Sequence, residues 1–336
     1  MKKITSFDVA KLAGVSQPTV SRALRNLPGT SPETRQRVIE AASSLSYVRS
    51  ESGRTLSTRR TQRIAVVSEA LTNPYYPELV EPMRQRLHEN GYRTAIVASA
   101  GDDGVDLEAL TDGSYDGAIL TTTGRWSRLP RDLTEHGVPH VLANRVLDHA
   151  EAHSCAVDNE SGAQMVCELL AEFGHSVVAS IQGPADTSTA RERDDAVRRA
   201  LRETGIAVKR SLTRRATFTH DAGMEAAMSL LVSEPRPTAI ICGNDVMAMG
   251  ALSAARVLGI RVPEDVSIVG FDDISMSAWP HVGLTTVRCD LEALAAGAVD
   301  LLLREIRDPG QAPIVTRYPV SLVRRRTHGP ANKSAS

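Results

Sequence analysis

From residue 62 to residue 328 short apolar runs alternate with stretches whose apolar residues recur at helical spacing. The strand-like runs are Ile64–Ser68, Thr94–Ala98, Gly117–Thr121, His140–Ala143, Ser154–Val157, Val177–Ile181, Ala239–Cys242 and Ser267–Phe271. Between them, helical spacing is read near 77–90, 127–137, 160–173, 190–204, 221–233, 245–258 and 290–307. A short run that is apolar on every residue needs cover on both faces, and the helix that follows it supplies that cover. Such alternation predicts an α/β fold of parallel sheets flanked by helices, and the length suits two such lobes.

The first 60 residues read differently. They hold eleven Lys or Arg against four Asp or Glu, whereas the rest of the chain holds 28 against 36. A net charge of -1 thus hides a basic head on an acidic body, the footprint of a module that binds a polyanion. Within the head, Val9, Ala10 and Ala13 share a helical face that Gly14 ends. Ser16 can cap a second helix with Pro18 in its first turn, and Val20 and Leu24 form its apolar stripe. Ser31, Pro32 and Glu33 open a third helix that runs to about Leu45. Three short helices, the first two joined by a tight turn, predict a helix-turn-helix whose second helix lies in the major groove. Its outer face carries Gln17, Ser21, Arg22 and Arg25; Arg suits guanine and Gln suits adenine. The hydroxyls of Ser16, Thr19, Ser21 and Thr34 suit phosphates. A bundle of the same shape could instead pack on the body and bind protein.

The stretch DVAKLAGVSQPTVSRAL, followed by SPETRQRVIEAASSLSYV, resembles the headpiece of the LacI/GalR (lactose repressor/galactose repressor) family over about 45 residues. The resemblance implies base readout by Gln17, Pro18 and Arg22, and phosphate contacts by Thr5, Ser16, Thr19, Ser21 and Thr34. It also implies a hinge that wedges a leucine into the minor groove, for which Tyr47, Arg54 and Leu56 match. Arg49 stands for the family's proline and Gly53 for its alanine; a helix-interior glycine costs about 1 kcal/mol relative to alanine.

Ligands of open α/β sheets sit outside the carboxyl ends of strands. Those ends carry Asn73, Tyr75 and Tyr76, then Asn144 and Arg145, Asn244 and Asp245, and Asp272 and Asp273; a helix opening nearby carries Arg191 and Arg193. Amides, acids, guanidinium and phenols in that arrangement suit a small polyhydroxyl or heterocyclic ligand. Asn244-Asp245 reads equally well as a helix cap. NPYYPELV, VDNESGA, AIICGNDVMAMGAL, VPEDVSIVGFDDI and LTTV extend the resemblance to about residues 4–326. It implies a two-lobed periplasmic-binding-protein-like domain with effector contacts from Asn73, Tyr75, Asn144, Arg193, Phe218, Asn244 and Asp272. Three departures stand out: a shortened segment between Ala98 and Tyr115, Asn144 in place of a common aspartate, and Asp195 near a usual glycine.

The organisation expected is a headpiece over 1–48, a hinge over 49–61, an effector and dimerisation domain over 62–328, and a disordered tail over 329–336. The N-subdomain would take 62–159 and 288–316, and the C-subdomain 160–287 and 317–328. The function expected is a homodimeric repressor on a near-palindromic double-stranded operator, released by a sugar or sugar derivative, with a nucleobase as the other ligand class. The tail RRRTHGPANKSAS lacks leucine heptads, so dimers rather than tetramers are expected.

A plain solute-binding protein would need an export signal, which MKKITSFDVAKLAG lacks, and the basic head is foreign to it. An enzyme would need a catalytic motif; no GxSxG, Walker loop, GxGxxG after a strand or HExxH is found. No cofactor or metal site is expected. Cys155, Cys167, Cys242 and Cys289 are scattered, as in a reducing compartment. No apolar run has the length of a membrane span, so a cytoplasmic protein with no membrane partner is expected.

Overall fold

The structure is a computed structural model that describes residues 4–47, 60–68, 71–98, 104–148 and 152–332. The hinge positions Arg49, Gly53, Arg54 and Leu56 lie outside the described residues. The chain divides into two compact units, Met1–Thr61 and Gln62–Ser336.

The first unit is three helices, α1 Ser6–Ala13, α2 Gln17–Leu24 and α3 Pro32–Ser44. The first begins three residues before the apolar pattern does. Asp8 Oδ2 accepts from both Thr5 N (2.8 Å) and Thr5 Oγ1 (2.7 Å), which satisfies donors at the helix start. It ends at Gly14, whose φ of 65° is a left-handed conformation that a side chain would strain. Ser16 and Ser31 cap α2 and α3 through Thr19 N and Thr34 N. The helices bury Val9, Ala10, Ala13, Val20, Ala23, Val38 and Ala41, a core of small side chains that brings three short helices close together.

The second unit holds two parallel sheets. The first lobe contributes β1 Arg63–Ser68, α4 Tyr75–Glu89, β2 Arg93–Ala98, α5 Leu107–Thr111, β3 Gly117–Leu120, α6 Leu129–Glu135, β4 His140–Ala143 and β5 His153–Val157. The second contributes α7 Asn159–Glu172, β6 Val178–Gln182, α8 Ser188–Glu203, β7 Thr213–Arg215, α9 His220–Leu231, β8 Ala239–Cys242, α10 Asp245–Val257 and β9 Ser267–Val269. The chain then runs through β10 Thr286–Cys289, α11 Leu291–Arg307, β11 Val315–Tyr318 and β12 Val320–Val323.

The six-stranded sheet has the order β11-β5-β4-β3-β1-β2 and the four-stranded sheet β7-β6-β8-β9, parallel throughout. Strands β10 and β12 pair antiparallel, and the bridges Val269–Thr285 and Asp272–Arg288 tie them to the second lobe. The chain therefore passes between lobes near 158, 290 and 319. One core cluster follows it across, from Ile64, Ile119 and Val141 through Val157, Phe271, Val287 and Cys289 to Val178 and Ile241.

Several particulars depart from the sequence expectations. Strand β11 pairs with β5 as far as Tyr318↔Val157, so the first lobe extends past the boundary expected at 316. Strands β7, β10, β11 and β12 are short and carry polar residues, and apolar patterning does not find them. The shortened segment after β2 holds the five-residue α5. Helix α8 runs unbroken through Asp195. The tail expected to be disordered over 329–336 is docked as far as Asn332. Gly329 O accepts from His175 Nε2 (3.0 Å) and Ser267 Oγ (3.2 Å), and Ala331 N donates to Phe173 O (2.9 Å). Backbone hydrogen bonds of this kind are invisible to composition.

Candidate functional site

On the head, burial of Val20 and Ala23 turns the opposite face of α2 outward. That face exposes Pro18 and Arg22 and leaves Gln17 and Ser21 half-exposed. Gln17 Nε2 donates to Ser6 Oγ at 3.3 Å, so α1 orients the amide of α2. Of the hydroxyls expected to meet phosphates, Ser16 caps α2 and its Oγ lies 2.8 Å from Thr19 Oγ1, while Thr34 Oγ1 accepts at 3.0 Å from Ser31, the cap of α3. A hydroxyl has one donor and two acceptor sites, so a capping role leaves capacity for a phosphate. Thr5, at the start of α1, is exposed.

In the second unit one cavity between the lobes is lined by Asn73, Tyr75, Tyr76, Asn144, Arg145, Thr189, Arg193, Phe218, Asn244 and Asp272. All seven residues expected at an effector site are in that wall. The cavity measures only about 20 Å³, room for a water rather than a sugar.

Arg193 is the hub. It is buried, and its Nε donates to Asn159 Oδ1 (2.8 Å), Nη1 to Gly243 O (2.5 Å) and Nη2 to Asp272 Oδ1 (2.9 Å). Its guanidinium carbon lies 3.7 Å from the centroid of the Phe271 ring. Phe271 comes this close because α7 offers it Gly162, where a Cβ would stand 2.6 Å from the ring. Asp272 has φ of 113° and Asn144 φ of 65°, conformations rare for residues with a side chain and held here by their surroundings. Burial pushes the Asp272 carboxyl up to about 6 despite the Arg193 guanidinium. Burial pushes Asp245 higher, to about 8; it accepts from Ile274 N (3.0 Å), Ser277 Oγ (2.6 Å) and Thr286 Oγ1 (2.5 Å) and so anchors the loop that carries Asp272.

The two lobes meet across this cavity. Arg145 Nη1 donates to Thr189 Oγ1 (2.7 Å) and Nη2 to Tyr76 Oη (2.8 Å). Asn73 Nδ2 donates to Phe218 O (3.4 Å), and at the rim Asp148 joins Arg125 (2.6 Å) and Arg191 (2.5 Å). Asn244 both caps α10, accepting from Met247 N at 2.9 Å, and lines the cavity. Tyr75 Oη and Asn144 Oδ1 are buried and have no hydrogen-bond partner among the described residues. Sequence reasoning passed over Thr189, Asn159 and the Phe271 ring. A cavity-facing Thr in the first turn of a helix has no signature, and Phe271 reads as the end of a strand.

Nothing in the cavity pairs a nucleophile with a base. Among the described residues no group of three His, Cys, Asp or Glu could hold a metal, and no helix is long and apolar enough to cross a membrane. A helix-turn-helix and a two-lobed domain with a closed polar cavity in one chain are the build of a transcriptional regulator with a ligand-binding domain.

Comparison with known proteins agrees with this class. Residues 7–50 match the lacI family of bacterial regulatory proteins, and residues 167–328 match the periplasmic binding protein-like domain. The HTH-type transcriptional regulator CelR of Thermobifida fusca is 35% identical over 319 residues, covering 91% of this chain and 93% of CelR. A solved structure of a transcriptional regulator CelR-cellobiose complex aligns at a TM-score of 0.74 with 30% identity, over 96% of this chain and 99% of that one. The lac repressor dimer bound to operator and the anti-inducer ONPF aligns at a TM-score of 0.85 with 26% identity, over 98% of this chain and 100% of that one. The chain belongs to the LacI family of bacterial transcriptional regulators.

Proposed function

We propose that the chain binds a near-palindromic operator as a homodimer, represses there, and is released when a small sugar-like effector enters the interlobe cavity. On this reading it works in the cytoplasm and has no catalytic role. The observation that carries the effector half is the convergence of ten side chains from both lobes on one cavity in which Tyr75 Oη and Asn144 Oδ1 lack partners among the described residues. A buried polar group without a partner is costly, and hydroxyls of a ligand would relieve both. The DNA half is supported by the basic charge of residues 1–60 and by the outward face of Gln17, Pro18, Ser21 and Arg22, with Thr5, Ser16, Thr19 and Thr34 toward phosphates. The cellobiose and operator named for the two structural relatives point the same way.

A ligand larger than the cavity must part the lobes to enter, breaking contacts such as Arg145–Thr189, and then closes them on new partners. The change in lobe arrangement alters the spacing of the two heads. Its extent is limited by the difference in effector affinity between the two arrangements. On this reading 1–48 is the reading head, 49–61 the hinge and 62–328 the effector and dimer domain.

The test has two arms. Selection from random DNA identifies the operator, and a thermal-shift screen of sugars, sugar phosphates and nucleobases identifies the effector. The expected result is a ligand that raises the melting temperature and lowers operator affinity in a gel shift, with Asp272→Ala binding operator normally but ignoring the ligand. A normal ligand response from Asp272→Ala, or no operator recovered, counts against the reading.

A further inference from the structure

Resting on the effector reading above, we infer that the effector is a hydroxylated organic anion, a sugar bearing a carboxylate or phosphate, whose charged oxygens face Arg145. The wall of the cavity carries two guanidinium groups and one carboxylate: Arg145, Arg193 and Asp272. Arg193 takes Asp272 at 2.9 Å. Arg145 is only 4% exposed, and its hydrogen bonds go to neutral oxygens alone: Asn144 O (2.9 Å), Thr189 Oγ1 and Tyr76 Oη. Its Nε is buried and has no hydrogen-bond partner among the described residues.

Acids on the segments that supply the lining residues have other partners. Asp148 pairs with Arg125 and Arg191, Glu192 with Arg317, Asp194 with Arg198 and Arg215, and Asp273 with Arg288 and Arg325. Glu78 accepts from Ser275 N at 3.0 Å. Among the described residues no carboxylate forms an ion pair with Arg145. Asp272 is near enough to act on Arg145 but gives its hydrogen bond to Arg193, so the Arg145 guanidinium is held out of water with neutral hydrogen-bond partners alone, an arrangement that an anion would improve. Its planar donor fork matches a carboxylate or phosphate. The other two orphaned atoms set the rest of the ligand: Asn144 Oδ1 can only accept, so it calls for a hydroxyl donor, and Tyr75 Oη takes either role. Hydroxyl donor and anionic acceptor side by side describe a sugar acid or a sugar phosphate. The cellobiose of the CelR complex is uncharged, so the inference separates this chain's ligand from that one.

The test is calorimetry on the full chain with D-glucuronate, D-galacturonate and D-gluconate in one arm and D-glucose 6-phosphate in a second. D-glucose and D-galactose serve as uncharged references. The expected result is binding of an anionic probe at least about tenfold tighter than its uncharged parent. The arm that binds tells carboxylate from phosphate. Arg145→Gln is expected to erase the preference and Arg145→Lys to keep part of it, since lysine retains charge without the fork. A melting curve of each unliganded variant separates lost folding from lost binding; should Arg145→Gln not fold, the wild-type preference and Arg145→Lys decide. An uncharged sugar that binds as well as its acid, or a preference that survives in Arg145→Gln, overturns the inference and leaves the effector reading standing. No binding by any anionic probe also overturns it. Silence from uncharged sugars and nucleobases as well takes the effector reading down with it.

Discussion

At the scale of single residues, burial decides the chemistry of the cavity. Among the described residues Asp245 forms no ion pair, and burial holds its carboxyl near 8 rather than at 3.8. A group whose pKa rises on folding stabilises the fold when protonated. Its contribution is therefore whole below 3.8 and drains away as pH climbs toward 8. Asp245→Asn removes that titration while keeping the shape, so the stability of the variant relative to the parent is expected to rise steadily from pH 4 to pH 8 in urea melts. A pH-independent difference would mean that the carboxyl titrates normally. On the head, the exposed Arg22 has the reach and the fork to read guanine. Arg22→Ala is expected to reduce discrimination between operator and random DNA by about 1–3 kcal/mol in competition gel shifts. Equal losses on both DNAs would make Arg22 a phosphate contact instead.

At the scale of elements, the cavity depends on how closely α7 approaches the loop after β9. Gly162 is the contact point, with the Phe271 ring on one side and Val287 on the other. Alanine there would gain about 1 kcal/mol of helix propensity but would force a buried ring aside, and overpacking costs about 1–3 kcal/mol. The ring is also the face on which Arg193 rests. Gly162→Ala is thus expected to lower stability slightly and effector affinity strongly, read by denaturant midpoint and calorimetry on one preparation. A stabilised variant with unchanged affinity would show that the ring moves freely. How much of each element could be read from sequence follows from burial. Strands β3 and β8 are buried on every residue and read as unbroken apolar runs. Strand β7, sequence TRR, is an edge strand and carries no such signal.

At the scale of the whole molecule, the parallel sheets point their carboxyl ends at a common gap, and the lobes close it with polar contacts rather than an apolar interface. The rim group of Arg125, Asp148 and Arg191 is partly exposed, and pairs of that kind contribute under about 1 kcal/mol each. Weak latches suit a gap that must open. Asp148→Ala is expected to leave the melting temperature nearly unchanged while enlarging the radius of gyration of the unliganded chain in small-angle scattering. An unchanged radius would show that the rim does not hold the lobes together.

The sequence by itself determined the basic three-helix head, the parallel α/β build of the body and the residue types gathered at the strand ends. Each of these follows from local spacing, capping and burial. What only the tertiary structure decided is which of those residues meet. Arg193 and Asp272 stand 79 positions apart, yet they form a buried pair. Arg145 meets Thr189 rather than an acid. The first lobe runs on to Tyr318, and the tail docks as far as Asn332. These outcomes depend on how two separately folded sheets pack through shared crossings, and chain-local patterns do not encode that packing.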